Sequence, residues 1–74
     1  KQVGRAGATF PAVFNAANEQ AVHAFHDGRI GYLAIIDTVR EVVDRHEPHP
    51  MTLEGVLQAE GWARREADAL IARR

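Results

Sequence analysis

The stretch Thr9-Phe10-Pro11-Ala12-Val13-Phe14-Asn15-Ala16-Ala17-Asn18-Glu19-Gln20-Ala21-Val22-His23-Ala24-Phe25-His26-Asp27-Gly28 decides the fold. Phe10, Val13, Phe14, Ala17, Ala21 and Phe25 recur at helical spacing, with Val22 at the edge of the stripe. Thr9 two residues ahead of Pro11 reads as a helix start, because proline lacks an N–H that the first turn leaves unpaired anyway. Gly28 reads as the left-handed cap that ends the helix near Asp27.

Working outward toward the C-terminus, a second helix is predicted from Tyr32 to His46. Its stripe is Leu33, Ile36, Val39, Val42 and Val43, with Ile35 beside it. Asp37 with Glu41, and Arg40 with Asp44, take the wet side, and Thr38 reads as helix surface. A strand over 35–43 is the rival reading, but Asp37, Thr38, Arg40 and Glu41 break strict alternation. Pro48 and Pro50 end this helix, since neither donates a backbone hydrogen bond. Thr52 caps a third start, with Glu54 placed at the positive helix end. Leu53, Val56 and Leu57 form its apolar face. A break is expected near 59–61 because of Gly61, followed by a last helix bearing Trp62, Ala63, Ala67, Leu70 and Ile71. Toward the N-terminus, residues 1–8 hold Gly4 and Gly7 without a sustained apolar period. They read as an irregular lead-in from an upstream domain, leaving 9–74 as the helical domain. The expectation is an all-α fold of three to four short helices.

Composition narrows the function classes. With 9 basic and 10 acidic side chains and a formal net charge of −1, the chain lacks the basic footprint of a nucleic-acid binder. No apolar run nears the ~20 residues needed to span a bilayer. There is no cysteine, hence no disulfide and no thiolate zinc site, which is compatible with a reducing, cytoplasmic setting. A chain this short buries only ~60% of its unfolded surface, so its own stability is marginal.

Little in the sequence promises chemistry. His46-Glu47-Pro48-His49 superficially approaches a zincin motif, but that motif needs two histidines four apart on one helical face. Glu19, His23 and His26 share a helix side at i, i+4 and i+7, a spacing open both to a metal and to an ordinary solvated face. With neither serine nor cysteine there is no nucleophile and base pair, and Gly4-Arg5-Ala6-Gly7 is too short for a phosphate-cradling loop. Arg64-Arg65 and Arg73-Arg74 are interrupted by Glu66 and Asp68, which favours a mixed face over a basic patch. Asn15 and Asn18 are the informative pair. Asparagine inside a helix competes for local backbone bonds, so two of them three apart suggest amides used against a loop, a facing helix or another domain. Asn15, Asn18 and Glu19 are therefore the structural or interdomain candidates.

The run from Gly4 to Glu19, Gly4-Arg5-Ala6-Gly7-Ala8-Thr9-Phe10-Pro11-Ala12-Val13-Phe14-Asn15-Ala16-Ala17-Asn18-Glu19, closely resembles the start of the C-terminal domain of bacterial 1-deoxy-D-xylulose 5-phosphate reductoisomerases of the actinobacterial type. Gly28-Arg29-Ile30-Gly31-Tyr32 is similar to that family's next turn. Leu53-Glu54-Gly55-Val56-Leu57 and Trp62-Ala63-Arg64-Arg65 are similar to its closing helices. Ala8 departs from the pattern, standing where the family usually has a second glycine.

The resemblance implies a modular, homodimeric, cytoplasmic enzyme. An N-terminal domain would bind NADPH, a central domain substrate and magnesium or manganese, and a terminal helical bundle, or left-handed superhelix, would brace them. The family's metal carboxylates and phosphate contacts lie in the upstream domains, so no catalytic, cofactor or metal residue carries over to this chain. The alternative is a free-standing helical module that presents an apolar groove to a partner helix. A DNA-binding helix-turn-helix is a distant third.

Overall fold

A computed structural model describes residues 3–47 and 52–74, with side chains from Thr9 onward. Three helices follow one another: α1 Val3–His26, α2 Tyr32–Arg45 and α3 Leu53–Arg73. Among the described residues there is no strand. Prolines 48 and 50, expected to end α2, lie outside the described residues.

Three of the helix ends follow local chemistry. Gly28 has φ 78, and its N–H donates to Phe25 O while Arg29 N–H donates to Ala24 O at 2.9 Å, the paired bonds of a Schellman stop. α2 ends where expected, with His46 as its cap residue donating its backbone N–H to Val43 O. Thr52 caps α3, its hydroxyl accepting from Gly55 N–H at 3.0 Å.

Two boundaries differ from the sequence reading. α1 begins at Val3, so residues 3–8 are helical rather than irregular, and Thr9 and Pro11 lie inside the helix instead of starting it. Proline in a helix interior forfeits one ladder bond and crowds the carbonyl four residues back, a cost of ~3 kcal/mol that packing must offset. α3 runs unbroken through Gly61. A glycine costs a helix only ~1 kcal/mol relative to alanine, less than burying the flanking turns returns.

The core explains that persistence. On α3, Gly55, Ala59, Ala63, Ala67 and Ile71 are buried at strict four-residue intervals. On α1, Thr9, Val13, Ala17 and Ala21 make a matching buried row, with Ala16 and Ala24 beside it. Small side chains let these two helices run close together along their length. α2 adds Thr38, Val39 and Val42, and Ile30 tucks under the α1–α2 turn. The largest fully buried side chains are only Val13, Val42, Thr9 and Thr38.

The apolar stripes supply much of this core, with Val13, Ala17, Ala21, Val39, Val42, Ala63, Ala67, Leu70 and Ile71 all buried, but several of their bulkiest members lie outside it. Phe10, Phe14 and Phe25 are exposed, as are Leu33 and Ile36 on α2 and Leu53 and Leu57 on α3. Thr38, read as surface, is fully buried. Where alanines and phenylalanines share a helix, the close-packed face belongs to the alanines, because bulky rings there would force the backbones apart.

Cross-helix contacts fix the topology. Thr9 meets His46 and Phe25 meets Tyr32, so α1 and α2 are antiparallel. Arg45 meets Glu66 and Arg74 meets Thr38, so α2 and α3 are antiparallel too. The result is an up-down-up three-helix bundle of 39 × 20 × 16 Å, its long axis set by α1, whose 24 residues span ~36 Å.

Candidate functional site

The three grooves between the helices differ in chemistry. Between α1 and α3, Arg64 reaches Glu19 Oε1 at 2.8 Å and Gln20 Oε1 at 2.9 Å, while the Gln20 amide donates to Asp68 Oδ1 at 2.7 Å. Between α2 and α3, Arg45 bridges Glu41 at 2.9 Å and Glu66 at 3.1 Å. At the other end of that groove Arg74 donates to the buried Thr38 hydroxyl at 2.9 Å and lies 3.8 Å from Glu41. Those polar links sit on helical faces that i,i+4 spacing and antiparallel packing bring together. Arg64 and Arg74 are thereby paired rather than part of a basic patch.

Between α1 and α2, away from the contact of Thr9 with His46 at one end, the side chains are mainly apolar. Phe14, Ile35, Ile36, Val39 and Val43, with Asn18 and Arg40 at the margin, line an open groove of about 350 Å³. Phe25 and Tyr32, with ring centroids 6.1 Å apart, extend the apolar face toward the α1–α2 turn. Phe14 is 49% and Ile36 47% exposed.

At the far end all three helices meet around His46. Its Nε2 lies 2.7 Å from Thr9 Oγ1, the Phe10 ring stands edge-on at 4.9 Å, and the Trp62 ring is 6.0 Å away. In the sequence His46 stands only as the last residue of the second helix, in a run that fails the zincin spacing. Its role as a clamp between α1 and α3 depends on a contact 37 residues distant, for which the sequence carries no local signal.

The sequence-derived residues fall into different settings. Asn15 is exposed on α1, so it is not buried within this domain; Asn18 is half-buried at the groove. Glu19 faces the opposite way and pairs with Arg64. His23 and His26 are exposed, and among the described residues no group of three or more His, Cys, Asp or Glu side chains is arranged to hold a metal ion. Gly4 and Gly7 lie within α1, not on a loop after a strand. Among the described residues no helix is long and apolar enough to cross a membrane.

Fold and surface together define a small all-α domain, polar-linked along two grooves and apolar along the third. The chain belongs to the family described as the DXP reductoisomerase C-terminal domain, whose family model matches residues 1–66. It is 65% identical over 74 residues, 99% of its length, to the 1-deoxy-D-xylulose 5-phosphate reductoisomerase of Leifsonia xyli subsp. xyli, of which it covers 20%. The protein of the same name from Paenarthrobacter aurescens is 55% identical over 65 residues, 86% of this chain and 16% of that one. The one from Thermomicrobium roseum is 47% identical over 75 residues, with 99% and 20% covered. The chain thus spans about a fifth of the length of these relatives. No solved structure matches it.

Proposed function

We propose that this chain is the C-terminal helical domain of a cytoplasmic 1-deoxy-D-xylulose 5-phosphate reductoisomerase, and that it braces the enzyme without taking part in the reaction. Residues 1–8 would lead in from the preceding domain, and 9–74 would form the bracing unit. The whole enzyme would rearrange and reduce 1-deoxy-D-xylulose 5-phosphate to 2-C-methyl-D-erythritol 4-phosphate. Its NADPH and its divalent magnesium or manganese ion would be held by the upstream domains, and the enzyme would act as a homodimer.

One observation carries this reading: identity of 65% across 99% of the chain, to a protein five times its length that bears that name. On this reading no step of the reaction is routed through the side chains of this chain. The test is NADPH oxidation by the full-length protein on 1-deoxy-D-xylulose 5-phosphate, beside a fluorescence titration of the 74-residue chain with NADPH. Turnover by the former and no saturable binding by the latter is expected. Micromolar NADPH binding by the short chain, or no turnover by the long one, would overturn it.

The free-standing interaction module draws on the open apolar groove between α1 and α2. Gel filtration separates the two readings. A monomeric 74-residue chain supports the domain reading, and co-elution with a helical partner from outside the full-length protein supports the module.

A further inference from the structure

We propose that the α1–α2 groove is the docking face of this domain, and that its occupant is the upstream part of its own longer chain. The inference rests on the reading above that such a chain precedes residue 1. It adds which face is used.

Three observations carry it. Two of the three interhelical grooves are crossed by polar side chains, Glu19 to Arg64 and Arg45 to Glu66, while the α1–α2 groove presents Phe14, Ile36 and Val43. The core, meanwhile, is mostly alanine and valine with Ile30, Leu70 and Ile71, so Phe14, Phe25 and Ile36 are left exposed along the α1–α2 side. A groove lined by contiguous, half-exposed apolar side chains is a face that another surface can cover. The third observation concerns the occupant. The relatives are about five times as long as this chain, so some four-fifths of the polypeptide stands available to cover that face in every molecule. It joins at the start of α1, and Phe14 lies eleven residues beyond Val3, ~16 Å along the helix. A covalently joined surface that near has a high effective concentration, which a second copy or a separate partner lacks. Asn18 at the margin, with the exposed Asn15 beside Phe14, gives the face amides that can pair with a neighbour's backbone.

Hydroxyl-radical footprinting of the purified full-length protein tests this, read over a dilution series with sedimentation velocity alongside. Oxidation at Phe14 and Ile36 should fall to the level of the buried Leu70, and should stay there when the protein is diluted to monomer. Oxidation near that of the unfolded chain would overturn the proposal, leaving the groove open or reserved for an outside partner. Protection lost on dilution would overturn it in favour of a second copy. Turnover measured on the same preparation separates the two readings. An inactive protein with protected Phe14 sinks the enzymatic assignment alone, and an active protein with unprotected Phe14 sinks the groove alone.

Discussion

Thr9 on α1 and His46 at the end of α2 lie 2.7 Å apart, Oγ1 to Nε2, joining residues 37 positions apart in sequence. The contact pins the end of α2 against α1, and Phe10 and Trp62 wall it in. Thr9 is fully buried, so Thr9→Val replaces the hydroxyl that meets the His46 ring with a methyl group. Thr9→Val is expected to destabilise the chain by about 1–3 kcal/mol, seen as a lower urea midpoint at unchanged m-value. An unshifted midpoint would show that the contact contributes nothing.

The close approach of α1 and α3 depends on rows made mostly of alanine. Ala63→Leu forces three carbons into that seam and is expected to cost about 1–3 kcal/mol. Ala69→Leu, on the exposed side of the same helix, should stay within about 0.5 kcal/mol of the parent. Equal effects in chemical denaturation would mean that the alanine row is not a packing surface.

Two glycines should respond with opposite signs. Gly28 has φ 78 and open space around it, so Gly28→Ala meets no clash but must hold a left-handed backbone, costing roughly 1–2 kcal/mol. Gly61 is helical, and an added Cβ would approach only the Arg65 Nη1 atom, at 3.3 Å. That is the tip of a flexible, exposed side chain, which can move aside. Gly61→Ala is therefore expected to stabilise by about 0.5–1 kcal/mol, and thermal melts of the two variants check the pair.

Arg64 touches Glu19 and Gln20, yet the Arg64 and Glu19 side chains are 40% and 55% exposed. Solvent screens such pairs, so Arg64→Ala should cost only about 0.2–1 kcal/mol, and less at high salt. A loss larger than that, unaffected by salt, would show that the arginine stem packs rather than pairs.

Asn15 is exposed on this chain. If its amide meets an upstream domain, Asn15→Ala lowers the melting temperature of the full-length protein, by an amount worth about 1–3 kcal/mol, and leaves the 74-residue chain unchanged. Equal melting temperatures for wild-type and variant full-length proteins would remove Asn15 from the interface.

The parts of this fold that were legible in the sequence are those set by neighbours a few residues apart. Gly28, Thr52 and the extent of α2 follow from backbone preferences and caps that act within one turn. What escaped depends on distant partners. Thr9 carries the local signature of a cap, and nothing within four residues announces that His46 takes its hydroxyl instead. Gly61 looks like a break until Ala59, Ala63 and Ala67 are seen to be held on α1. Hydrophobicity singled out Phe14 and Ile36 as core, whereas close packing chose the smaller Ala16 and Ala24; bulk and burial part company where helices touch through methyl groups. Of the site candidates, the pairing of Glu19 lay on a helix 45 residues further along, and the setting of Asn18 became visible only with α2 in place.

The claim that the reacting groups lie elsewhere is tested most directly by kcat. The full-length protein carrying Glu19→Gln, His23→Ala and His26→Ala together should turn over within about twofold of the unmodified enzyme, assayed well below its melting temperature. Positioned acid–base groups contribute ~10²–10⁴-fold, so a fall of that size with the fold intact would contradict the account.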